Sequence, residues 1–215
     1  GSTSLRDFDR IIFEGAQGVL LDLIHGTYPY VTGGHTLASY APASLGIPAK
    51  SEGKVLGVAK AYTTRVGSGP FPTEISGRVA DSMREIGKEY GATTGRPRRI
   101  GWFDLVAMKY AIRLNGVDEI ALTKLDILTK VGEMKVCVAY RQNGHEITEF
   151  SSALPFIDKV LPVYEDLQSF LGLELTRAKL PRAVDAFVEY LERELKAKVS
   201  LVSIGEERTA TVERG

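Results

Sequence analysis

The stretch Thr93-Thr94-Gly95-Arg96-Pro97-Arg98-Arg99-Ile100-Gly101-Trp102 holds the densest set of anion-binding groups in the 215-residue chain. Pro97 disfavours the helical region for Arg96, and in an extended segment residues two apart point to one side, so Arg96 and Arg98 are expected to face the same way. Guanidinium forks match carboxylate or phosphate through paired hydrogen bonds, and Thr93, Thr94 and the Gly95 backbone add neutral donors. A small dianion suits such a fork. The alternative is a solvated basic turn, since exposed arginine clusters are common. Flanking Ile100, Trp102 and Phe103 favour a half-buried site.

Thr123-Lys124-Leu125-Asp126 follows an apolar run ending at Leu122. Read as extended chain, it puts Lys124 and Asp126 on one side of a strand's carboxyl end, where bound bases commonly sit. An ionised carboxylate accepts two hydrogen bonds, which suits the N1–H and 2-amino donors of guanine and not adenine. This resembles the guanine-specifying motif of GTPases; a surface Lys and Asp at a strand exit is the alternative.

Glu14-Gly15-Ala16-Gln17-Gly18 offers glycines that permit close backbone approach and an amide that both donates and accepts, but it lacks the Gly-Lys-Ser/Thr ending of a phosphate loop. In His25-Gly26-Thr27-Tyr28-Pro29-Tyr30-Val31-Thr32, His25 is either chemical or structural, and Thr32 offers a hydroxyl to phosphate. No Cys/His grouping supports zinc, and no Gly-x-Ser-x-Gly elbow supports a hydrolase.

Several elements must position these residues. Arg10–Phe13 reads as a buried strand ended by Gly15, and the Gly/Pro/Thr/Ser-rich passage 25–47 is too long for an ordinary connection, which points to function. The pattern predicts strands over 54–62, 119–122 and 199–204, helices over 79–88, 103–114 and 183–195, and a hairpin with arms 135–140 and 145–149 around Gln142-Asn143-Gly144. Strands alternating with helices imply an α/β fold with a mostly parallel central sheet flanked by helices and a β-hairpin excursion, in one domain spanning 1–215.

Lys plus Arg and Asp plus Glu balance at 27 each, so no global field draws the chain to nucleic acid or an anionic membrane, and any anion site must be local. The single cysteine, Cys137, lies in an alternating apolar run and reads as a buried hydrophobe, which fits a reducing cytoplasm. No apolar run reaches the roughly 18–20 residues of a spanning helix. Gly1-Ser2 reads as a cloning remnant, and the early start of strand-like sequence suggests a piece of a larger protein.

Taken together and in order, the 13–18 and 25–32 segments, Thr64-Arg65-Val66-Gly67 through Gly69-Pro70-Phe71-Pro72-Thr73-Glu74, the 93–102 segment and Thr123–Asp126 resemble the adenylosuccinate synthetase family, with similarity from about Ile11 to Thr209. The resemblance implies a cytoplasmic ligase of purine biosynthesis that joins IMP to L-aspartate with GTP hydrolysis and Mg2+. The purine 6-oxygen is phosphorylated, and the aspartate amine then displaces phosphate. By resemblance Gln17, Thr32 and Arg96 contact IMP. Ala92, Thr93, Thr94, Gly95, Arg96, Pro97 and Arg98 hold aspartate, with Val66 and Gly67 close by. Lys124, Leu125, Asp126, Ser203, Ile204 and Gly205 bind the GTP base, with Arg98 near its ribose. Dimerisation is implied for the complete enzyme, an arginine from a region absent here reaching the neighbour's IMP site.

The departures bear on activity. The family's Gly-Asp-Glu-Gly-Lys-Gly-Lys-type loop, which supplies a catalytic aspartate and magnesium contacts, and its catalytic histidine segment do not occur in this sequence. Without them the chain alone is expected to be inactive. Gly33-Gly34-His35 stands where the family carries a Ser-Ser-Asn-like stretch, Glu206 stands where a proline is common, and the region 168–175 is atypical.

Overall fold

The computed structural model describes residues 9–48, 53–91 and 95–214. The chain divides into two compact units, Gly1–Gly53 and Lys54–Gly215. In the first, the strand expected over 10–13 does not form: residues 10–16 have no regular structure, and Ile12 is 91% exposed. Extended backbone becomes a strand only when a neighbour satisfies its N–H and C=O groups, and no described segment pairs with this one.

The 25–47 passage is instead organised around Asp22, which is fully buried and accepts from the N–H groups of Ile24, His25 and Thr36 at 2.9, 3.0 and 2.7 Å. A tight turn at Val19–Leu21 precedes Asp22, and a short helix α1 (Tyr40–Ser44) closes the passage. Gly26 lies so close to the backbone that a Cβ would fall 2.4 Å from the Asp22 carbonyl oxygen, so only glycine fits.

The second unit runs, in chain order, β1 (Leu56–Lys60), β2 (Thr63–Arg65), β3 (Glu74–Ile75), α2 (Arg78–Gly87), β4 (Arg99–Gly101), β5 (Phe103–Asp104), α3 (Leu105–Asn115), β6 (Glu119–Thr123), α4 (Leu125–Leu128), β7 (Lys135–Gln142), β8 (His145–Ile147), α5 (Phe150–Ala153), β9 (Leu161–Asp166), α6 (Arg182–Leu195), β10 (Lys198–Ser203) and β11 (Thr211–Glu213). The main sheet has order β1-β6-β10-β11, parallel except for the β10–β11 pair. Lys60 pairs with Thr123 and Val202 with Leu122, so Lys60, Thr123 and Ser203 end their strands at one edge. A bulge between Val199 and Leu201 lets Val199 and Val202 both enter the core with Ala59, Ile120 and Leu122, while Leu56 and Val58 are exposed. The mixed α/β class is as the alternation of patterns implies.

Two smaller sheets complete the unit. β4 lies between β2 and β3 in an antiparallel trio, and β7 pairs with β5, β8 and β9. The expected hairpin is β7–β8, where Asn143 and Gly144 both take positive φ (50° and 81°) opposite the Gln142–His145 pair, as a two-residue primed turn requires. The second predicted helix, over 103–114, starts later than its pattern suggested, because Phe103-Asp104 pairs with Val136-Cys137 as β5 before Asp104 caps α3. α3 stops at Gly116 in the left-handed region, φ 59°. Cys137 is fully buried, burial pushes its thiol pKa up, and it stays a core residue.

Candidate functional site

Lys124 and Asp126 sit at the carboxyl edge of the parallel strands. β6 ends at Thr123, Lys124 turns the chain through a left-handed conformation (φ 68°), and Asp126 falls in the first turn of α4. The two side chains are therefore not neighbours along a strand as the extended reading assumed; the left-handed turn brings both to the lining of one cavity. That cavity is about 290 Å³ and is lined by Thr123, Lys124, Asp126, Ser203, Gly205 and Glu206. Leu125 is fully buried in the core, and Ile204 packs against the core, so neither side chain belongs to this lining. The Lys124 ammonium donates to the Gly87 carbonyl at 3.0 Å. Lys88, left-handed after α2 (φ 51°), pairs with Glu206 across 2.8 Å.

The arginine segment begins beside the same turn. Tyr90 and Pro97 form an isolated antiparallel bridge, Arg98 N–H donates to the Glu89 carbonyl at 2.9 Å, and Gly91 N–H to the Arg96 carbonyl at 2.8 Å. Gly95 takes φ 62° and its N–H closes back on the Gly91 carbonyl at 2.8 Å. Ala92, Thr93 and Thr94 lie outside the described residues. Arg96 is exposed, whereas Arg98 is half-buried and donates from its guanidinium to the Glu89 carboxylate at 2.6 Å. Ile100, Trp102 and Phe103 lie in the core behind them.

Sequence reasoning missed Glu89, a side chain 1% exposed at the centre of this region. Besides Arg98 it accepts from Lys60 on both oxygens, at 2.8 and 2.9 Å, and from the Tyr62 hydroxyl at 2.8 Å. Burial pushes the Glu89 carboxyl pKa up, but hydrogen bonds from Lys60, Tyr62 and Arg98 and the Lys60 charge outweigh it, and the net effect is a lowered value. Burial pulls the Lys60 ammonium down against the pull of Glu89, and drives the Tyr62 hydroxyl up with help from the same carboxylate. The Lys60 charge feels Arg98 and Lys124, and the Tyr62 hydroxyl feels Asp126. The turn Gly87–Glu89 thus joins the two clusters: its carbonyl holds Lys124 and its carboxylate holds Arg98. They lie on one side of this unit.

The loop after β2 is fixed by another residue the sequence did not flag. Arg99 pairs with Glu74, donating from Nε at 2.7 Å, and its NH1 group reaches the Gly67 and Gly69 carbonyls at 3.2 and 2.8 Å. The ring of Phe71 lies 5.3 Å away. Arg65 pairs with Arg99 in the β2–β4 ladder, so Val66 (51% exposed) and Gly67 (φ 77°) lead off at the end of β4 where Arg98 enters.

In the first unit the Gln17 amide donates to the Thr32 hydroxyl at 3.1 Å. The two residues assigned there to a nucleotide are brought together, with Gln17 in the left-handed region at φ 67°. His35, the departure from the family pattern, stacks on Tyr40 at 3.6 Å and approaches the Asp22 carboxylate at 3.4 Å. Hydrogen bonds from the His25, Thr36 and Ile24 backbone and the nearby His35 more than offset the upward push of burial on Asp22, and its carboxyl pKa is lowered. Among the described residues, no three His, Cys, Asp or Glu side chains come together as a metal ion would need. No helix among them is long and apolar enough to cross a membrane.

The family model described as adenylosuccinate synthetase matches residues 2–212. Adenylosuccinate synthetase of Bdellovibrio bacteriovorus is 47% identical over 98% of this chain and 50% of the relative's length. That of Caldicellulosiruptor saccharolyticus is 46% identical over 95% and 49%. The chain spans about half the length of the curated relatives it matches. Among solved structures, fully ligated adenylosuccinate synthetase from Plasmodium falciparum superposes with a TM-score of 0.86 at 34% identity, over 94% of this chain and 49% of that one. Cyanophage S-2L succinoaminodeoxyadenylate synthetase, bound to dGMP and dATP, shares the fold at a TM-score of 0.57 and 22% identity, over 93% of this chain and 45% of that one. This chain belongs to the adenylosuccinate synthetase family.

Proposed function

We propose that this chain supplies the guanine-base and aspartate pockets of a cytoplasmic ligase that joins IMP to L-aspartate with GTP hydrolysis, as part of one catalytic domain that dimerises when complete. The observation that carries this reading is the Gly87–Glu89 turn, which holds Lys124 of the base cavity and Arg98 of the anion segment together. In the cavity, Asp126 accepts the N1–H and 2-amino donors of guanine, with Lys124 alongside the base and Ser203 and Gly205 closing it; Leu125 and Ile204 contribute through backbone. Arg98 and Arg96 bind the aspartate carboxylates, with residues 92–95, Pro97, Val66 and Gly67 as the surrounding backbone and hydroxyls. Arg98 also reaches the GTP ribose. Gln17 and Thr32, hydrogen-bonded to each other in the first unit, contact IMP; Arg96 of the second unit is assigned to IMP by its position in the family pattern.

The chemistry consists of transfer of the γ-phosphoryl group of GTP to the IMP 6-oxygen, then attack of the aspartate amine on that carbon with loss of phosphate. This chain's residues bind and orient base, nucleotide and amine donor for those steps. Magnesium would neutralise phosphate charge in such a transfer; among the described residues no three His, Cys, Asp or Glu side chains come together to hold it, and no step is assigned through them.

Adenylosuccinate formation from IMP, L-aspartate and GTP tests the reading. We expect no turnover from the chain alone, and turnover when the N-terminal half of the Bdellovibrio enzyme is fused ahead of it. A folded fusion that binds GDP without turnover would leave a nucleotide-binding module and refute the ligase. Preference for GMP over IMP would overturn the assignment of the acceptor nucleotide.

A further inference from the structure

Glu89 is a buried carboxylate whose lone pairs are taken up by Lys60, Tyr62 and Arg98. Lys60 is equally committed: its ammonium donates to both Glu89 oxygens and, at 3.0 Å, to the Thr64 hydroxyl, so each of its N–H groups has an acceptor. Two cations and one carboxylate leave a surplus positive charge. Neither Glu89 nor Lys60 has capacity left to present that charge. Arg98 does, because it gives Glu89 a bond from NH1, its backbone is pinned by Glu89 and by Arg84 Nε on its carbonyl at 2.9 Å, and 29% of its side chain stays exposed. A guanidinium held by one edge in a low-dielectric setting is a preorganised receptor for a carboxylate on its other edge.

We propose that Glu89 is a positioning residue for the aspartate pocket: with Lys60 as its counter-charge, it holds the Arg98 guanidinium in the orientation that receives the substrate carboxylate. The proposal rests on the carboxylate-binding role given to Arg98 above. Glutamine at 89 keeps the length and one acceptor but turns the other oxygen into an N–H donor facing the donor on Arg98, and the arginine is released. The Lys124–Asp126 cavity, held by the Gly87 carbonyl, keeps its lining.

The test uses the full chain as wild type, Glu89→Gln and Glu89→Asp. NMR follows the Arg98 Nε–Hε resonance, assigned with Arg98→Lys, and calorimetry measures GDP binding and L-aspartate binding at saturating GDP and IMP. We expect Glu89→Gln to mobilise the Arg98 resonance and weaken L-aspartate binding about tenfold or more, with GDP changed less than about twofold. Glu89→Asp, which keeps the charge but retracts it, falls between and serves as the decisive variant should glutamine unfold the chain. An unmoved resonance with unmoved aspartate affinity overturns the proposal and leaves the carboxylate role of Arg98 standing. Equal weakening of aspartate and GDP also overturns it, since Glu89 would then merely support the fold. A wild-type chain that orders Arg98 through Glu89 yet takes up no L-aspartate sinks the substrate role of Arg98 and the proposal with it.

Discussion

Asp104 provides a stability measurement that isolates one proton. It lies between β5 and α3, 7% exposed, where one oxygen accepts the Ala107 N–H at 3.0 Å as a helix cap and the other accepts the Tyr140 hydroxyl at 2.6 Å. Burial raises its pKa from the ordinary 3.8 to about 6, and the hydrogen bonds from Ala107, Tyr140 and Val106 only partly oppose that rise. The folded state therefore binds this proton more tightly than the unfolded chain. Stability from Asp104 is full below about pH 4 and is lost as pH climbs through about 6. At about 1.4 kcal/mol for each tenfold change in proton affinity, the loss is of order 3 kcal/mol. The variant Asp104→Asn keeps the cap oxygen and offers Tyr140 a partner, but carries no titrating proton. Urea unfolding of both proteins from pH 4 to pH 7, taken as a difference, cancels every other titrating group, including Glu89, whose lowered pKa acts with opposite sign. The variant should gain on wild type by roughly 3 kcal/mol across that window. Parallel profiles would refute the raised carboxyl pKa at this site.

Three further outcomes follow from the site and its frame. Asp126→Asn should reduce the preference for GDP over ADP at least about tenfold, because the paired acceptor is lost, and competitive binding of the two nucleotides checks it. In the fused, active enzyme Arg98→Ala should raise the KM for L-aspartate far more than that for IMP, and equal effects would count against the aspartate assignment. Gly26→Ala should destabilise the first unit by about 2 kcal/mol or more, because its Cβ would fall 2.4 Å from one carbonyl oxygen and 2.5 Å from another; thermal unfolding and proteolysis report it.

The parts legible in the sequence were those set by local periodicity and turn chemistry. Helices α2, α3 and α6, strands β1, β6 and β10, and the Asn143-Gly144 hairpin all announce themselves in patterns of under fifteen residues. That Lys124 and Asp126 share one edge was legible as well, since a lysine and a carboxylate after an apolar strand fall at its carboxyl edge whether or not the chain stays extended. What was not legible depended on partners distant in sequence. Arg10–Phe13 has a strand's composition, but no ladder forms among the described residues. Glu89 looked like one more charge at the end of an amphipathic helix, yet its meaning comes from Lys60, 29 residues before it. Arg99 was hidden behind Arg96 and Arg98, although it is the residue that ties the 67–69 loop to β4.

The Glu89 cluster also explains why positions here cannot be exchanged one at a time. Burying a carboxylate is costly, and here the cost is offset by two cations and a hydroxyl that reach it at 2.6 to 2.9 Å. Removing Lys60 leaves an under-compensated buried anion drawing Arg98 inward; removing Glu89 leaves two cations repelling across the same space. Either change should alter where Arg98 points before it alters whether the unit folds, because the neighbouring Ile100 and Met83 belong to an apolar core that makes no hydrogen bond to the cluster. Orientation of the Arg98 guanidinium is therefore the property most sensitive to this cluster, and the ligand binding proposed for it should fail at milder perturbation than global stability.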